Sequence, residues 1–237
     1  MEAQELSNHN EEQSRTENIN KMKPNRLPKL QSFLILFITL AICLIGGYFI
    51  SDKYLWPDAD EQHLIDQTNY YKDLVDAKPN DPENRVNLGY TYYLRGNNEE
   101  AIKQLKMALD LDKKNFGAYF NLGLTYLNEE RYNDALKQAQ KTVELAPQNY
   151  KSNLLAGMTY RHLKMYKESL KSLQDALNLS PINTDVINEL GKLAEDQENF
   201  DEAEKLYKEA LSYDPLYKPA NEGLKRLAAE TKKKDNK

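Results

Sequence analysis

The sequence predicts an all-α fold, a solenoid of helical hairpins preceded by a single transmembrane helix. Two observations predict it. From residue 82 to residue 217 one pattern of small and aromatic residues recurs every 34 positions, four times without a gap, and a period of that length is one helix-turn-helix unit. Upstream, residues 33–50 run for 18 positions without a charge, as a helix surrounded by hydrocarbon requires.

In chain order, residues 1–29 come first, rich in Glu, Asn, Gln, Ser and Lys and almost without large apolar side chains. Such a segment cannot offset the entropy of ordering, and it is expected to be a disordered polar tail. The apolar run follows. At about 1.5 Å per residue it spans about 27 Å, and counting from Leu30 about 31 Å, against a hydrocarbon core of about 30 Å. Its Phe, Leu and Ile side chains, at roughly −0.3 to −0.6 kcal/mol each near the centre, outweigh Thr39, Gly46 and Gly47. A cleaved signal peptide fits less well, because the preceding segment is long and no small-x-small site follows. Residues 30–50 are therefore read as an uncleaved transmembrane helix. Leu40-Ala41-Ile42-Cys43 resembles a bacterial lipoprotein processing site, but Ile42 is bulky and the apolar run continues past the cysteine. Cys43 is the only cysteine, so no internal disulfide exists.

Orientation follows from the flanking charges. Lys21, Lys23, Arg26 and Lys29 precede the run, whereas Lys53 stands alone among Asp52, Asp58, Asp60 and Glu61 beyond it. Positive residues stay in the cytoplasm, so the expectation is a single-pass protein of the cell membrane with its N-terminus inside and its repeats extracytoplasmic. Tyr48, Tyr54 and Trp56 suit an interfacial belt.

Residues 51–81 read as a linker and a degenerate half repeat, with Leu64, Tyr71, Leu74 and Val75 at helical spacing and Pro79 near the end. Four full copies follow, 82–115, 116–149, 150–183 and 184–217. Leu88-Gly89, Leu122-Gly123, Ala156-Gly157 and Leu190-Gly191 share one position, followed by Tyr92, Tyr126, Tyr160 and Ala194. Small residues recur at Ala101, Ala135, Ser169 and Ala203, and again at Ala108, Thr142, Ala176 and Ala210. These small residues let helix backbones approach closely while larger side chains interdigitate around them. Asp81, Asn115, Asn149 and Asn183 signal helix starts. In residues 218–237, Leu224, Leu227 and Ala228 keep the spacing of one more helix, with Glu222, Lys225, Arg226 and Glu230 expected outside. That reads as a capping helix with a basic tail.

Composition and motifs bound the function. The net charge of −5 arises wholly beyond the anchor, because five acids and five bases cancel in residues 1–29. An acidic solenoid is a poor partner for nucleic acid. No phosphate-binding loop, dinucleotide fingerprint, nucleophile elbow or zinc-protease motif occurs. His9, His63 and His162 lack ligand spacing, and Asp58 and Asp60 lack the rest of a calcium loop. The expectation is a protein with no catalytic residues, no cofactor, no metal site and no small-molecule substrate.

The glycine after a small or aliphatic residue, the tyrosine three positions on, the two small-residue positions and Pro147, Pro181 and Pro215 resemble the tetratricopeptide repeat family. With its anchor, the chain looks like a membrane-anchored bacterial member. Departures are Lys113 at the usual proline and Arg85 at a frequent tryptophan. The resemblance implies a right-handed αα solenoid whose first helices line a concave groove. Carried over position by position, the groove would present Val86, Tyr90 and Tyr93, then Phe120, Leu124 and Leu127, then Lys151, Leu154, Met158 and Arg161, then Asn188 and Lys192. Asn121 and Lys151 match two positions of the family's carboxylate clamp, whereas Val86, Tyr90 and Leu155 occupy the others. The implied function is a membrane-anchored interaction scaffold, an adaptor, assembly factor or chaperone-like protein holding a peptide or helix in this groove outside the cytoplasm. The alternative is a non-catalytic tethering subunit of an envelope enzyme or maturation complex.

Overall fold

A computed structural model describes residues 38–40 and 59–235. The predicted tail and most of the predicted anchor lie outside the described residues. Ile38, Thr39 and Leu40 are helical and exposed, and among the described residues no helix is long and apolar enough to cross a membrane.

From residue 59 onward the described chain is helical throughout, without a strand. Helix α1 (Ala59–Ala77) occupies the predicted half repeat. It buries Val75 and also Thr68, whose hydroxyl donates to the Leu64 carbonyl at 2.7 Å. Four helix pairs follow: α2 (Pro82–Leu94) with α3 (Asn98–Leu111), α4 (Phe116–Asn128) with α5 (Tyr132–Leu145), α6 (Tyr150–His162) with α7 (Tyr166–Leu179), and α8 (Thr184–Asp196) with α9 (Phe200–Tyr213). Helix α10 (Lys218–Asp235) closes the array.

Each first helix begins on a side-chain cap. Asp81 accepts from the Glu83 N–H, Asn115 from Ala118, Asn149 from Lys151 and Asn183 from Val186, at 2.8 to 3.1 Å. These bonds satisfy N–H groups that the first turn of a helix leaves without intrahelical partners. The second helices start without side-chain cap bonds. Acids in the first turn, such as Glu99, Glu100, Asp201 and Glu202, favour the helix dipole there. Between the two helices of each pair one residue has positive φ: Gly96 at 74°, Glu130 at 57°, Lys164 at 61° and Glu198 at 59°. That left-handed step lets the next N–H reach back, as Arg131 does to the Tyr126 carbonyl at 2.8 Å.

Packing within a pair depends on the repeat glycine. A Cβ on Gly89 would sit 2.7 Å from Leu105, on Gly157 2.6 Å from Leu173, and on Gly191 2.6 Å from Tyr207. The small residues Ala101, Ala135, Ser169 and Ala203, and Ala108, Thr142, Ala176 and Ala210, are fully buried. Where a hydroxyl replaces alanine it is satisfied, Ser169 donating to the Gly157 carbonyl and Thr142 to that of Ala139.

The second copy departs from this scheme. Its residue equivalent to Leu105, Leu173 and Tyr207 is Ala139, and the atom facing Gly123 belongs instead to Leu155 of α6, at 2.6 Å from the built Cβ. Leu155 is fully buried where the other copies carry Asn87, Asn121 and Glu189. A small residue on the second helix is thus filled by a large one from the next copy. The reverse exchange occurs at the end of the array, where the ring of Tyr207 lies against both Gly191 and Gly223.

Helix α10 covers this last copy, though with a different face from the one expected. Ala220 and Leu227 are buried and Leu224 is half-buried, but Ala228 is exposed. Nor does Arg226 simply face water. Its Nε and Nη2 donate to Glu195 at 3.0 Å, and Nη2 reaches the Tyr207 hydroxyl at 3.4 Å. At the glycine position α10 carries the exposed Lys225; in each pair that glycine makes room for the core side chains packed beneath it.

Candidate functional site

The first nine residues of α2, α4, α6 and α8, with the start of α10, line one pocket of about 610 Å³. Residues from all four copies meet there because each copy presents positions drawn from one, two, five, six and nine, two adjacent rows at i, i+4 spacing on one face of the helix. The early half is aromatic and amide-bearing, with Asn87, Tyr90, Phe116, Phe120 and Asn121, and the late half holds Lys151, Asp185, Asn188, Glu189 and Lys192. Phe116 and Phe120 stack at 6.0 Å with an angle of 11° between their planes.

Nine sequence-predicted residues come together here: Tyr90, Phe120, Asn121, Leu124, Lys151, Leu154, Met158, Asn188 and Lys192. They are not equally accessible. Tyr90 is exposed, whereas Phe120, Leu124 and Met158 are half-buried against the core cluster of Leu122, Tyr126 and Leu155, and Leu154 is buried. The groove floor is therefore also packing material.

Four predicted residues lie elsewhere. Val86 is buried in the core, its Cγ1 closing over Gly117 at 3.2 Å from a built Cβ. Leu127 is buried in the same cluster. Tyr93 is half-buried and stacks on Tyr90 at 6.1 Å, and burial raises its hydroxyl pKa first, with Tyr90 adding to the effect. Arg161 is held by Glu189 at 3.3 Å and Asp196 at 2.9 Å. Three of these four occupy position twelve, at the C-terminal end of the first helix, where Leu127 joins the core, Arg161 reaches the acids of α8 and Tyr93 stacks on its own helix. Sequence reasoning missed Asn87, Phe116, Tyr150, Glu189, Tyr217 and Pro219. The aromatic residues at position one and the polar residues at position six were a helical turn from the predicted stripe and could have been found by extending it.

The charges in the late half are mostly paired. Glu189 is buried and meets both Arg161 and Lys192, the latter at 2.7 Å. Burial would lower the Arg161 pKa, but Glu189 and Asp196 outweigh it and raise it. His162 stacks on Tyr132 at 5.0 Å, and burial followed by the Arg161 charge lowers its pKa, favouring the neutral ring. Asp185 accepts the Tyr217 hydroxyl at 2.6 Å, and burial together with that bond raises the Tyr217 pKa. Two polar groups are left over. Lys151 is exposed, its Nζ 5.8 Å over the Phe120 ring, and the Oδ1 of Asn188 is buried with no hydrogen-bond partner among the described residues. Among the described residues no group of three or more His, Cys, Asp or Glu side chains could hold a metal.

The repeat seen in the sequence is also a recognised family pattern. Residues 89–129 match the family described as TPR repeat, and residues 116–149, 150–183 and 185–217 match families described as tetratricopeptide repeat. The chain belongs to the tetratricopeptide repeat family. Among solved structures it is similar to TTC0263, a thermophilic tetratricopeptide protein of Thermus thermophilus, at 21% identity and a TM-score of 0.62, covering 68% of this chain and 87% of that one. It is similar to MamA at 22% identity and a TM-score of 0.53, covering 68% of this chain and 96% of that one. A third is YrrB, described as a tetratricopeptide protein with an unusual peptide-binding site, at 20% identity and a TM-score of 0.51, covering 70% and 86%. No curated protein matches the sequence. At these identities the likeness establishes the solenoid fold. The tetratricopeptide assignment makes the protein an interaction scaffold in kind.

Proposed function

We propose that this tetratricopeptide protein is a membrane-anchored scaffold that holds a segment of another protein in the groove of α2, α4, α6 and α8, on the outer side of the membrane. The observation that carries the groove reading is one pocket to which every copy contributes, lined by amide and charged groups beside stacked aromatic rings. A groove with an apolar floor and a few convergent polar groups is the usual form of a recognition site. Half-buried Phe120, Leu124 and Met158 would receive apolar side chains of the partner, and the asparagine amides would meet its main chain. The peptide-binding site named for YrrB accords with this use of the fold. The membrane part rests on the charge-free run 33–50 and the lysines and arginine before it.

Two experiments test the two halves. A photocrosslinking residue at Tyr90 or Asn121 in the full-length chain should trap a discrete partner in cells, and the same residue at Lys137, exposed on α5, should not. Equal trapping from both faces would refute the groove. For topology, a reporter active only after export, fused behind Lys237, should be active. Activity of a cytoplasm-only reporter at that position would overturn the orientation.

A further inference from the structure

The late end of the groove carries acceptors that the protein leaves open. In the first three copies position five holds Val86, Phe120 and Leu154, and in two of them that side chain lies against position two of the next copy: Val86 closes over Gly117, and Phe120 lies beneath the ammonium of Lys151. The fourth copy breaks the rule. Its position five is Asn188, only 2% exposed, and position two of the closing helix is Pro219, which has no N–H to give. Both line the same pocket, and the Oδ1 of Asn188 is buried without a hydrogen-bond partner among the described residues. A buried acceptor left unmet is costly, and a bound N–H removes that cost. Three residues earlier on the same helix face, Asp185 lines the pocket too. Among the described residues its carboxylate is met only by the neutral hydroxyl of Tyr217, at 2.6 Å, and by no cation within ion-pair distance. The cations of the groove are placed elsewhere: Lys192 is held by Glu189, Arg161 by Glu189 and Asp196, and Lys151 stands over Phe120. A carboxylate and a buried amide oxygen beside a tyrosine ring call for one group that has several N–H donors and a positive charge. A main-chain N–H or a hydroxyl supplies only a donor.

We propose that the late end of the groove seats a lysine or arginine side chain of the partner segment, its N–H groups shared between Asp185 and Asn188 and its stem against the ring of Tyr217. This rests on the groove reading above and adds which side chain the fourth copy selects. The seat also sets the register of the segment. With the cation at Asp185, the main chain runs back along Asn121 and Asn87, and an apolar side chain of the segment falls on Phe120 and Leu124.

The test uses the full-length chain in detergent and fluorescein-labelled octapeptides, blocked at both ends, each with one Phe or Leu and with Arg, Lys, norleucine or Glu at every other position in turn. Anisotropy titration should rank peptides with a basic residue at one spacing from the apolar one above their norleucine counterparts. Asp185→Asn keeps an oxygen for the Tyr217 hydroxyl and removes the charge. It should weaken the best basic peptide about fivefold to tenfold and leave its norleucine counterpart unchanged. Asn188→Leu, which gives position five the residue of copy three, should likewise weaken the basic peptide and spare the norleucine one. Binding that is lost on Asn121→Arg but shows no basic preference, a basic preference untouched by Asp185→Asn, equal weakening of both peptides by Asn188→Leu, or binding only of peptides with a free N-terminal amine overturns the proposal while leaving the groove in place. Peptide binding indifferent to Asn121→Arg, or no binding by any peptide, overturns both.

Discussion

Making the third copy more regular should damage it. Asn occupies position six in the first two copies, so Leu155→Asn brings copy three into line with Asn87 and Asn121. Leu155 is fully buried, however, and fills the space beside Gly123 that Leu105, Leu173 and Tyr207 fill elsewhere, because Ala139 beneath it is small. Removing a buried leucine into a site that cannot collapse costs about 2 to 5 kcal/mol. The new amide can reach the wet groove as Asn87 and Asn121 do, which places the expected loss at about 3 kcal/mol. For a chain of this size that is a fall in melting temperature of about 6 to 12 °C. Adding Ala139→Leu rebuilds the arrangement of the first copy, Leu105 under Asn121, and should recover about 2 kcal/mol, a coupling within the range of packed neighbours. Ala139→Leu alone should overpack against Leu155 and cost about 1 to 3 kcal/mol. Thermal melts of the four proteins by circular dichroism decide the matter. A neutral Leu155→Asn, or a double variant no more stable than the single one, would refute the exchange of volume between residues 139 and 155.

Three further outcomes follow from the same structure. Gly96→Ala should cost about 1 kcal/mol through backbone strain alone, because its φ is 74° and nothing lies within 4 Å of the added methyl, and urea midpoints should show Glu130→Gly neutral or slightly stabilising. Arg161→Ala should cost about 2 kcal/mol, because buried Glu189 keeps only Lys192 as a charged partner and Asp196 loses its own, whereas Glu189→Gln in the same background should restore part of the melting temperature. At the closing helix, burial raises the Glu195 pKa, but the hydrogen bonds from Arg226 and Tyr207 outweigh it and hold the group low. A depressed folded pKa contributes stability that is present above the unfolded value of about 4.3 and is lost as pH falls through the folded one. Melting curves of wild type and Arg226→Met should therefore differ at pH 7 and converge toward pH 3; a gap that persists in acid would mean that Arg226 acts by packing alone.

What could be read from the sequence was whatever is local or periodic. The 34-residue register, the two helices of each copy and the caps at Asp81, Asn115, Asn149 and Asn183 follow from spacing and from how a side-chain oxygen satisfies an N–H two or three residues on. The stripe carrying Tyr90, Phe120, Leu124 and Met158 into one pocket was legible for the same reason. Position twelve was not. Tyr93, Leu127 and Arg161 share a register position, yet one stacks on its own helix, one joins the core and one joins a buried ion cluster, because the side chains around each differ. Ala228 was misread, and the bonds from exposed Arg226 to Glu195 went unseen, for a related reason: what Tyr207 and Glu195 present to α10 decides which face is covered. The exchange between Ala139 and Leu155, and the unmet acceptor on Asn188, belong wholly to the tertiary structure. A repeat prescribes its own hairpin, but the space left between two hairpins depends on both, and only packing them together shows which side chain fills it.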